Sequence, residues 1–237
     1  MTRMATDLQH KTKIIRIIQE THDVKTFRLV KPEGFSFIPG QYCMWSLGDK
    51  VDAVKKPFTI SNIPQDDHLE FTIKIVGDFT KEIDKLKEDE EVLISEAKGK
   101  SFNFDKDNKK EIVYIAGGSG ITPFIPAIRY IVREKLPHKV MLLFGNKTED
   151  DIIYRDELED IDKDNENIAI INILSEPKED DENSWEGETG FIDKDIILKY
   201  VKDIMDKRWM ICGPVIMNQK VKEILLSLGI PKEDIKT

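Results

Sequence analysis

The sequence predicts two domains, an N-terminal antiparallel β-barrel over residues 1–103 and a C-terminal α/β domain, a doubly wound parallel sheet, over residues 111–237. Three observations predict it. The chain has 237 residues, beyond the usual single-domain size of roughly 100–150. Residues 1–100 carry short apolar runs separated by turn signals. From Glu111 onward, fully apolar runs alternate with amphipathic segments of helix length.

The strands of the first domain are expected at KIIRIIQE, VKTFRLVK, QYCMWSL, PFTISN, LEFTIKIV and EVLISEA. They are rich in Ile, Val, Phe and Thr, residues that fit a pleated, half-buried surface. EGFSFIPG, LGDK and QDD supply the turns between them. Closing such strands into a barrel removes exposed edges. One helix interrupts them at TKEIDKLKED, with Thr80 as its cap and Ile83 and Leu86 as its apolar stripe.

FDKDNKK, residues 104–110, reads as the linker. Beyond it the order is strand, turn, helix, four times over. EIVYIA leads to GGSGITPFIPAIRYIVREK, KVMLLFG to DDIIYRDELEDI, NIAIINIL to DKDIILKYVKDI, and RWMICG to PVIMNQKVKEILLSLG. Ligands on parallel sheets of this kind bind at the carboxyl ends of the strands.

The totals exclude several classes. A net charge of −9 argues against a nucleic-acid partner and against an anionic membrane surface. The longest charge-free stretch, residues 112–128, is too short and too interrupted by Gly and Pro to span a bilayer. MTRMATDLQHKTK lacks the features of a signal peptide, so the cytoplasm is the expected compartment. Cys43 and Cys212 are too few for an iron–sulfur cluster, and His10, His22, His68 and His138 show no metal-ligand spacing, so no metal is expected.

The most specific feature is AGGSGITPF, residues 116–124, where an apolar strand ends and a helix should begin. Gly117, Gly118 and Gly120 permit close backbone approach, while Thr122 and Pro123 suit a helix start that presents N–H groups to a pyrophosphate. The spacing departs from the common dinucleotide-binding pattern, and a tight turn without a ligand is the competing reading.

AGGSGITPF, FGNKTEDDI and ICGPVIM stand in order at the ends of successive strands, with KPFTISN upstream. Together they resemble the ferredoxin-NADP reductase family, including its ferric-reductase-like and oxygenase-reductase members, over nearly the whole chain from about Thr12. The resemblance implies a flavin-binding barrel and an NAD(P)-binding α/β domain. The family's flavin segment appears here as Lys56, Pro57, Phe58 and Thr59. It implies that Phe58 stacks on the isoalloxazine, that Thr59 hydrogen-bonds near flavin N5, and that Lys56 meets a flavin phosphate. A lysine in place of the usual arginine cannot form a bidentate clamp, so looser flavin retention is expected.

The resemblance further implies that the backbone of Ile73, Lys74 and Ile75 follows the ribityl chain, and that Gly77 and Thr80 open a short helix beneath the pyrophosphate. Cys212, Gly213 and Pro214 correspond to the family's segment near the reacting nicotinamide carbon. A thiol there shapes the pocket without a covalent intermediate. Thr59 and Cys212 are thus the residues assigned to the transfer step. Gly145 and Asn146 end their strand at the same sheet edge and border the dinucleotide, while Lys147 reads as a solvated loop charge.

FAD is implied as the cofactor rather than FMN, with NADH or NADPH as the donor. The loop SEPKEDDENSWEGE, where relatives that select the 2′-phosphate carry Ser, Arg or Lys, is acidic from Glu176 onward, which favours NADH. Lys178 moderates that preference, and a merely solvated acidic loop explains the composition equally well. The family ends on an acidic residue and an aromatic that covers the second flavin face, whereas this sequence ends Ile-Lys-Thr.

The expected activity is electron transfer from NAD(P)H through flavin to a separate acceptor: ferredoxin, an oxygenase component or ferric iron. A protein redox partner is expected. Two readings compete: a non-autonomous electron-transfer subunit of a larger complex, and a dinucleotide-binding module without catalysis. Oligomeric state is not readable from the sequence.

Overall fold

The computed structural model describes residues 10–48, 54–177, 185 and 187–237. The chain divides into two compact units. One holds the described residues up to Phe104 together with Thr122–Arg129, and the other holds Asp105–Ile121 and Tyr130–Thr237.

In the first unit the strands are β1 (His10–Thr21), β2 (Val24–Val30), β3 (Tyr42–Ser46), β4 (Lys56–Thr59), β5 (His68–Lys74) and β6 (Glu91–Ile94). They form one antiparallel sheet in the order β4-β3-β6-β1-β2-β5. Just past β4, the Ser61 N–H donates to the Glu70 carbonyl on β5 at 2.8 Å, so the two outer strands meet and the sheet closes. Ile14, Phe27, Leu29, Trp45, Phe71 and Ile73 fill the interior. Part of the LGDK turn lies outside the described residues.

The short helix α1 is Asp78–Asp84, three-residue earlier in its start than the sequence suggests. Gly77 occupies the N-cap, and Thr80 sits inside the first turn. Its Oγ1 accepts from the N–H groups of Val76 (2.9 Å) and Gly77 (3.0 Å). Thr80 therefore stabilises the start of the helix from within it, in the reciprocal position of a capping box. Ile83 is buried as expected, and Leu86 packs on the same core beyond the helix end.

In the second unit β7 (Glu111–Gly117), β8 (Val140–Asn146), β9 (Ile168–Leu174), β10 (Glu188–Thr189), β11 (Lys207–Cys212) and β12 (Ile235–Lys236) form a parallel sheet, ordered β10-β9-β8-β7-β11-β12. From β7 the chain steps outward to β8, β9 and β10, then returns to lay β11 on the other side of β7. That reversal between β7 and β11 is a topological switch point, where open α/β sheets bind ligands.

The helices are α2 (Ile125–Arg133), α3 (Arg155–Asp164), α4 (Lys194–Tyr200) and α5 (Val215–Ser227). Val113, Ile115, Leu143, Ile173, Trp209 and Ile211 project to one face, where Ile197 from α4, Val201 just past its end, and Val221 and Leu225 from α5 cover them. Asp193 caps α4 by accepting from the N–H groups of Asp195 and Ile196, both at 3.0 Å.

The sequence places a helix start at Thr122 and Pro123. The chain instead makes a 3-10 turn at Gly118–Ile121, and α2 begins at Ile125, with Pro126 in its first turn where a missing N–H costs nothing. Thr122 and Pro123 are buried and group with the first unit. Among the described residues, no helix is long and apolar enough to cross a membrane.

Candidate functional site

β4 pairs with β3 so that Thr59 lies opposite Tyr42, Phe58 opposite Cys43 and Lys56 opposite Trp45. Lys56 and Pro57 are exposed, while Phe58 and Thr59 are half-buried. The Phe58 ring meets Trp45 edge-on at 5.9 Å and lies nearly parallel to Phe79, with centroids 6.2 Å apart and planes inclined by 18°. Among the described residues the Lys56 ammonium and the Thr59 hydroxyl make no hydrogen bond or ion pair. A free cation, a free hydroxyl and an aromatic wall on one short strand suit a flat, polar-rimmed ring system carrying phosphate.

The segment following Thr59 is tightly held. The Ile60 N–H donates to the Gln41 carbonyl at 3.0 Å. Asn62 donates from Nδ2 to the His68 carbonyl (2.8 Å) and accepts at Oδ1 from the Glu70 N–H (2.8 Å). The Ser61 carbonyl accepts from Arg129 Nη1 at 2.7 Å.

At the end of β5, Ile73 is in the core and the Ile75 N–H donates to the Asp23 carbonyl at 2.8 Å, toward β2. Backbone groups alternate sides in an antiparallel pair, so the N–H and C=O of Lys74 point away from β2. Of the three residues expected to offer backbone here, Lys74 is the one whose backbone groups point away from β2. Its ammonium is engaged by Asp23 Oδ2 at 2.8 Å. Gly77 has open space where a side chain would stand. The Thr80 hydroxyl, in contrast, is committed to its own turn and also donates to the Gly77 carbonyl at 2.9 Å.

In the second unit, Ala116 pairs with Cys212 across the switch point, so the turns after β7 and β11 lie side by side. A Cβ on Gly117 would fall 2.7 Å from Met217 Sδ and 2.9 Å from Pro214 Cδ. One on Gly213 would fall 2.6 Å from Met217 Cε and 3.0 Å from the Gly117 nitrogen. Gly117, Gly120 and Gly213 are glycine because the two turns pack against each other. Gly118 differs: it has φ +50° and open space around it, so its backbone is the part of the turn that a ligand can approach. Cys212 is half-buried, and burial pushes its thiol up to about 11, which keeps it protonated and non-nucleophilic at neutral pH.

Gly145 pairs with Gly117, which brings the β8 end beside the glycine turn. Asn146 is 7% exposed, and neither its Nδ2 nor its Oδ1 has a hydrogen-bond partner in the described structure. Unmet polar atoms in so buried a side chain call for a ligand or water. Lys147 is not simply a solvated charge, since its Nζ lies 3.4 Å from Glu176 Oε1 in an exposed pair. Residues 178–184 and 186 of the acidic loop, Lys178 among them, lie outside the described residues.

Sequence reasoning missed three features. Phe79 follows Gly77 closely enough that the aromatic in GDFT signalled it. Phe191, after the left-handed Gly190 (φ +99°) at the carboxyl edge of β10, is 79% exposed; its signal was an aromatic inside a polar turn. Arg129, the first charge after the charge-free stretch, reaches Glu70, the one carboxylate inside LEFTIKIV.

Residues 9–122 match the FAD-binding domain family, and residues 114–223 match the oxidoreductase NAD-binding domain family. The chain is 30% identical over 246 residues to cytochrome b5 reductase 4 of Homo sapiens, across 95% of this chain and 46% of that protein. It therefore spans about half the length of that relative. It is 30% identical over 233 residues to the uncharacterized oxidoreductase AIM33 of Saccharomyces cerevisiae, across 95% of this chain and 72% of that one. The solved ferredoxin NADP+ reductase of Neisseria gonorrhoeae with bound FAD and NADP, 18% identical, shares the fold with a TM-score of 0.82, over 95% of this chain and 93% of that chain.

Proposed function

The chain belongs to the ferredoxin-NADP reductase family, and on that premise we propose that it is an NAD(P)H-dependent flavoprotein reductase, with NADH favoured, serving a separate electron acceptor. FAD, when bound, supplies the exchange between two-electron donation by the dinucleotide and one-electron delivery to an acceptor. The observation that carries the reading is the β4 triad, in which Lys56 and Thr59 stand unengaged among the described residues on either side of the half-buried Phe58.

Each residue has a role that its surroundings allow. Phe58, backed by Trp45 and Phe79, forms an apolar wall, and Thr59 offers a fixed hydroxyl at the reacting edge of the ring. Lys56 neutralises phosphate, Pro57 holds the strand extended, and the outward backbone of Lys74, between Ile73 and Ile75, lines the polyol chain. Gly77 gives backbone access, while Thr80 shapes the turn there. In the second domain, Gly118 admits the pyrophosphate, with Gly117 and Gly120 allowing the turn its shape and Thr122 and Pro123 following it.

Gly145 and Asn146 border the dinucleotide, and the Asn146 amide satisfies its hydrogen bonds on it. Cys212, Gly213 and Pro214 shape the nicotinamide pocket, and Phe191 offers a ring face to the purine. The flavin-binding domain is assigned to residues 1–103, the linker to 104–110 and the dinucleotide domain to 111–237. The acceptor is a protein redox partner, with ferredoxin, an oxygenase component or a haem protein of the b5 type as candidates, and ferric iron is the non-protein alternative.

Anaerobic titration of the FAD-loaded chain with NADH tests the reading. Bleaching of the flavin absorbance by NADH, with slower bleaching by NADPH, is expected. A chain that takes up neither FAD nor FMN would refute it.

A further inference from the structure

Arg129 lies in the part of α2 that groups with the barrel. Its Nη1 donates both to Glu70 Oε2 (3.0 Å) and to the Ser61 carbonyl (2.7 Å). Glu70 is 5% exposed and is served independently by Arg28, whose Nε donates to Oε1 at 2.7 Å, with His68 Nε2 at 3.4 Å. The buried carboxylate thus has a guanidinium partner without Arg129. Arg129 also binds the carbonyl of Ser61, whose N–H is already committed to the Glu70 carbonyl at 2.8 Å. Both backbone groups of Ser61 are therefore locked to one buried centre, two residues past Thr59.

On the other side, Thr59 is the last residue of β4, held by its register with Tyr42. These two attachments fix the backbone that carries its side chain, and among the described residues the hydroxyl has no hydrogen-bond partner of its own. We infer that Arg129 is a positioning residue for the Thr59 hydroxyl, acting through the Ser61 carbonyl with Glu70 as its anchor. The inference rests on the flavoprotein reading above, in which Thr59 faces the cofactor. A misplacement of about 1 Å at a reacting group is enough to slow transfer ~100-fold, so a remote guanidinium has leverage on this scale.

The test uses the full chain loaded with FAD and reads the long-wavelength absorbance band of the bound flavin, its dissociation constant, and its rate of reduction by NADH. Arg129→Met is expected to shift the band in the same sense as Thr59→Val and to slow reduction roughly 10-fold or more. In the Thr59→Val background, Arg129→Met should change band and rate by less than about twofold, because a residue acting through Thr59 has nothing left to act on. Arg129→Lys, which keeps one nitrogen able to donate twice, should restore most of the effect. If Arg129→Met does not fold, Glu70→Gln, which loosens the anchor while preserving shape, should give the same band shift.

Additive effects of the two substitutions, or a lowered unfolding temperature with band and rate unchanged, would overturn the inference and leave Arg129 as packing alone. Failure of the unsubstituted chain to take up FAD is a different result, and it removes the flavoprotein reading together with this role.

Discussion

A Cβ on Gly120 would stand 2.1 Å from the carbonyl oxygen of Cys212 and 2.5 Å from its carbonyl carbon. The turns that end β7 and β11 thus touch backbone to backbone, and neither can yield by turning a side chain. Gly120→Ala should cost ~3 kcal/mol or more through overpacking. For a chain of this size that corresponds to a fall in Tm of roughly 10 °C. Gly118→Ala meets no clash and carries only the left-handed strain of φ +50°, about 1–2 kcal/mol. It should fold, with a raised KM for NADH. Thermal unfolding and steady-state kinetics of the two variants separate packing glycines from the ligand-facing one. Equal loss of stability in both would remove the distinction.

Lys56 presents a point charge where a guanidinium presents a fork. It is exposed and, among the described residues, unengaged, so exchanging it disturbs no described contact. Lys56→Arg should tighten FAD binding by roughly threefold to tenfold through a paired contact with phosphate, and Lys56→Ala should weaken it by a similar factor. Fluorescence titration of the flavin-free chain measures both. Unchanged affinity in both variants would take Lys56 out of the cofactor site.

The domain order and most strands were legible because their periodicities are local: period-two runs before residue 104 and solid apolar runs after 111. What escaped depends on contacts distant in sequence. The polar residues Glu70 and Thr72 of LEFTIKIV are both buried: Arg129, 59 residues later, pairs with Glu70, and the Thr26 hydroxyl on β2 meets that of Thr72. Nothing local announces that pairing. The helix at Thr80 started early because a threonine at the cap and one at the third helical position look alike in sequence, and only the preceding Gly77 separates them.

The glycine turn shows the same limit. Gly117, Gly118 and Gly120 are equivalent in the sequence, and only the neighbouring turn reveals which of them serve packing. The two-residue strands β10 and β12 are shorter than any pattern can signal.

Glu70 makes stability pH-dependent. Burial alone would raise its pKa, but Arg129 and Arg28, helped by His68, outweigh it and hold the carboxyl below its ordinary value of 4.5. A folded pKa below the unfolded one means that the unfolded chain binds the proton more tightly. The contribution is therefore complete above about pH 4.5 and is lost as pH falls through the folded value. Glu70→Gln should be less stable than the parent chain at pH 7, with a difference that narrows below pH 4.5. Denaturant midpoints across that range check this. A difference that stays constant with pH would contradict the ion-pair account.

Cys212 sits where a nucleophile would be conspicuous, yet burial alone raises its thiol to about 11. At pH 7 the thiolate fraction is then on the order of one in ten thousand. Iodoacetamide should label it slowly, with a rate that climbs with pH toward 11. Cys212→Ala should retain measurable turnover with NADH, losing roughly tenfold in kcat through a less well shaped pocket. Complete loss of activity in a folded, flavin-loaded Cys212→Ala chain would show that the thiol takes part in the chemistry itself.

On the proposed reading, donor choice turns on Glu176, which follows Ser175 just past β9. Its N–H donates to the Lys147 carbonyl at 2.8 Å, which fixes the backbone, while its exposed carboxylate pairs with Lys147 Nζ at 3.4 Å. An exposed pair of this kind contributes about 0–1 kcal/mol to stability, so it can be broken without unfolding the domain. In the native pair the two charges nearly cancel, and a 2′-phosphate finds no net attraction. Glu176→Arg replaces that balance with two adjacent cations. The ratio of kcat/KM for NADPH over NADH should rise roughly 10-fold, a change of about 1.4 kcal/mol in transition-state binding. Added salt should shrink the gain, because an exposed charge contact is screened. A ratio unmoved by the substitution would place the selective contact elsewhere and undo the argument from acidity.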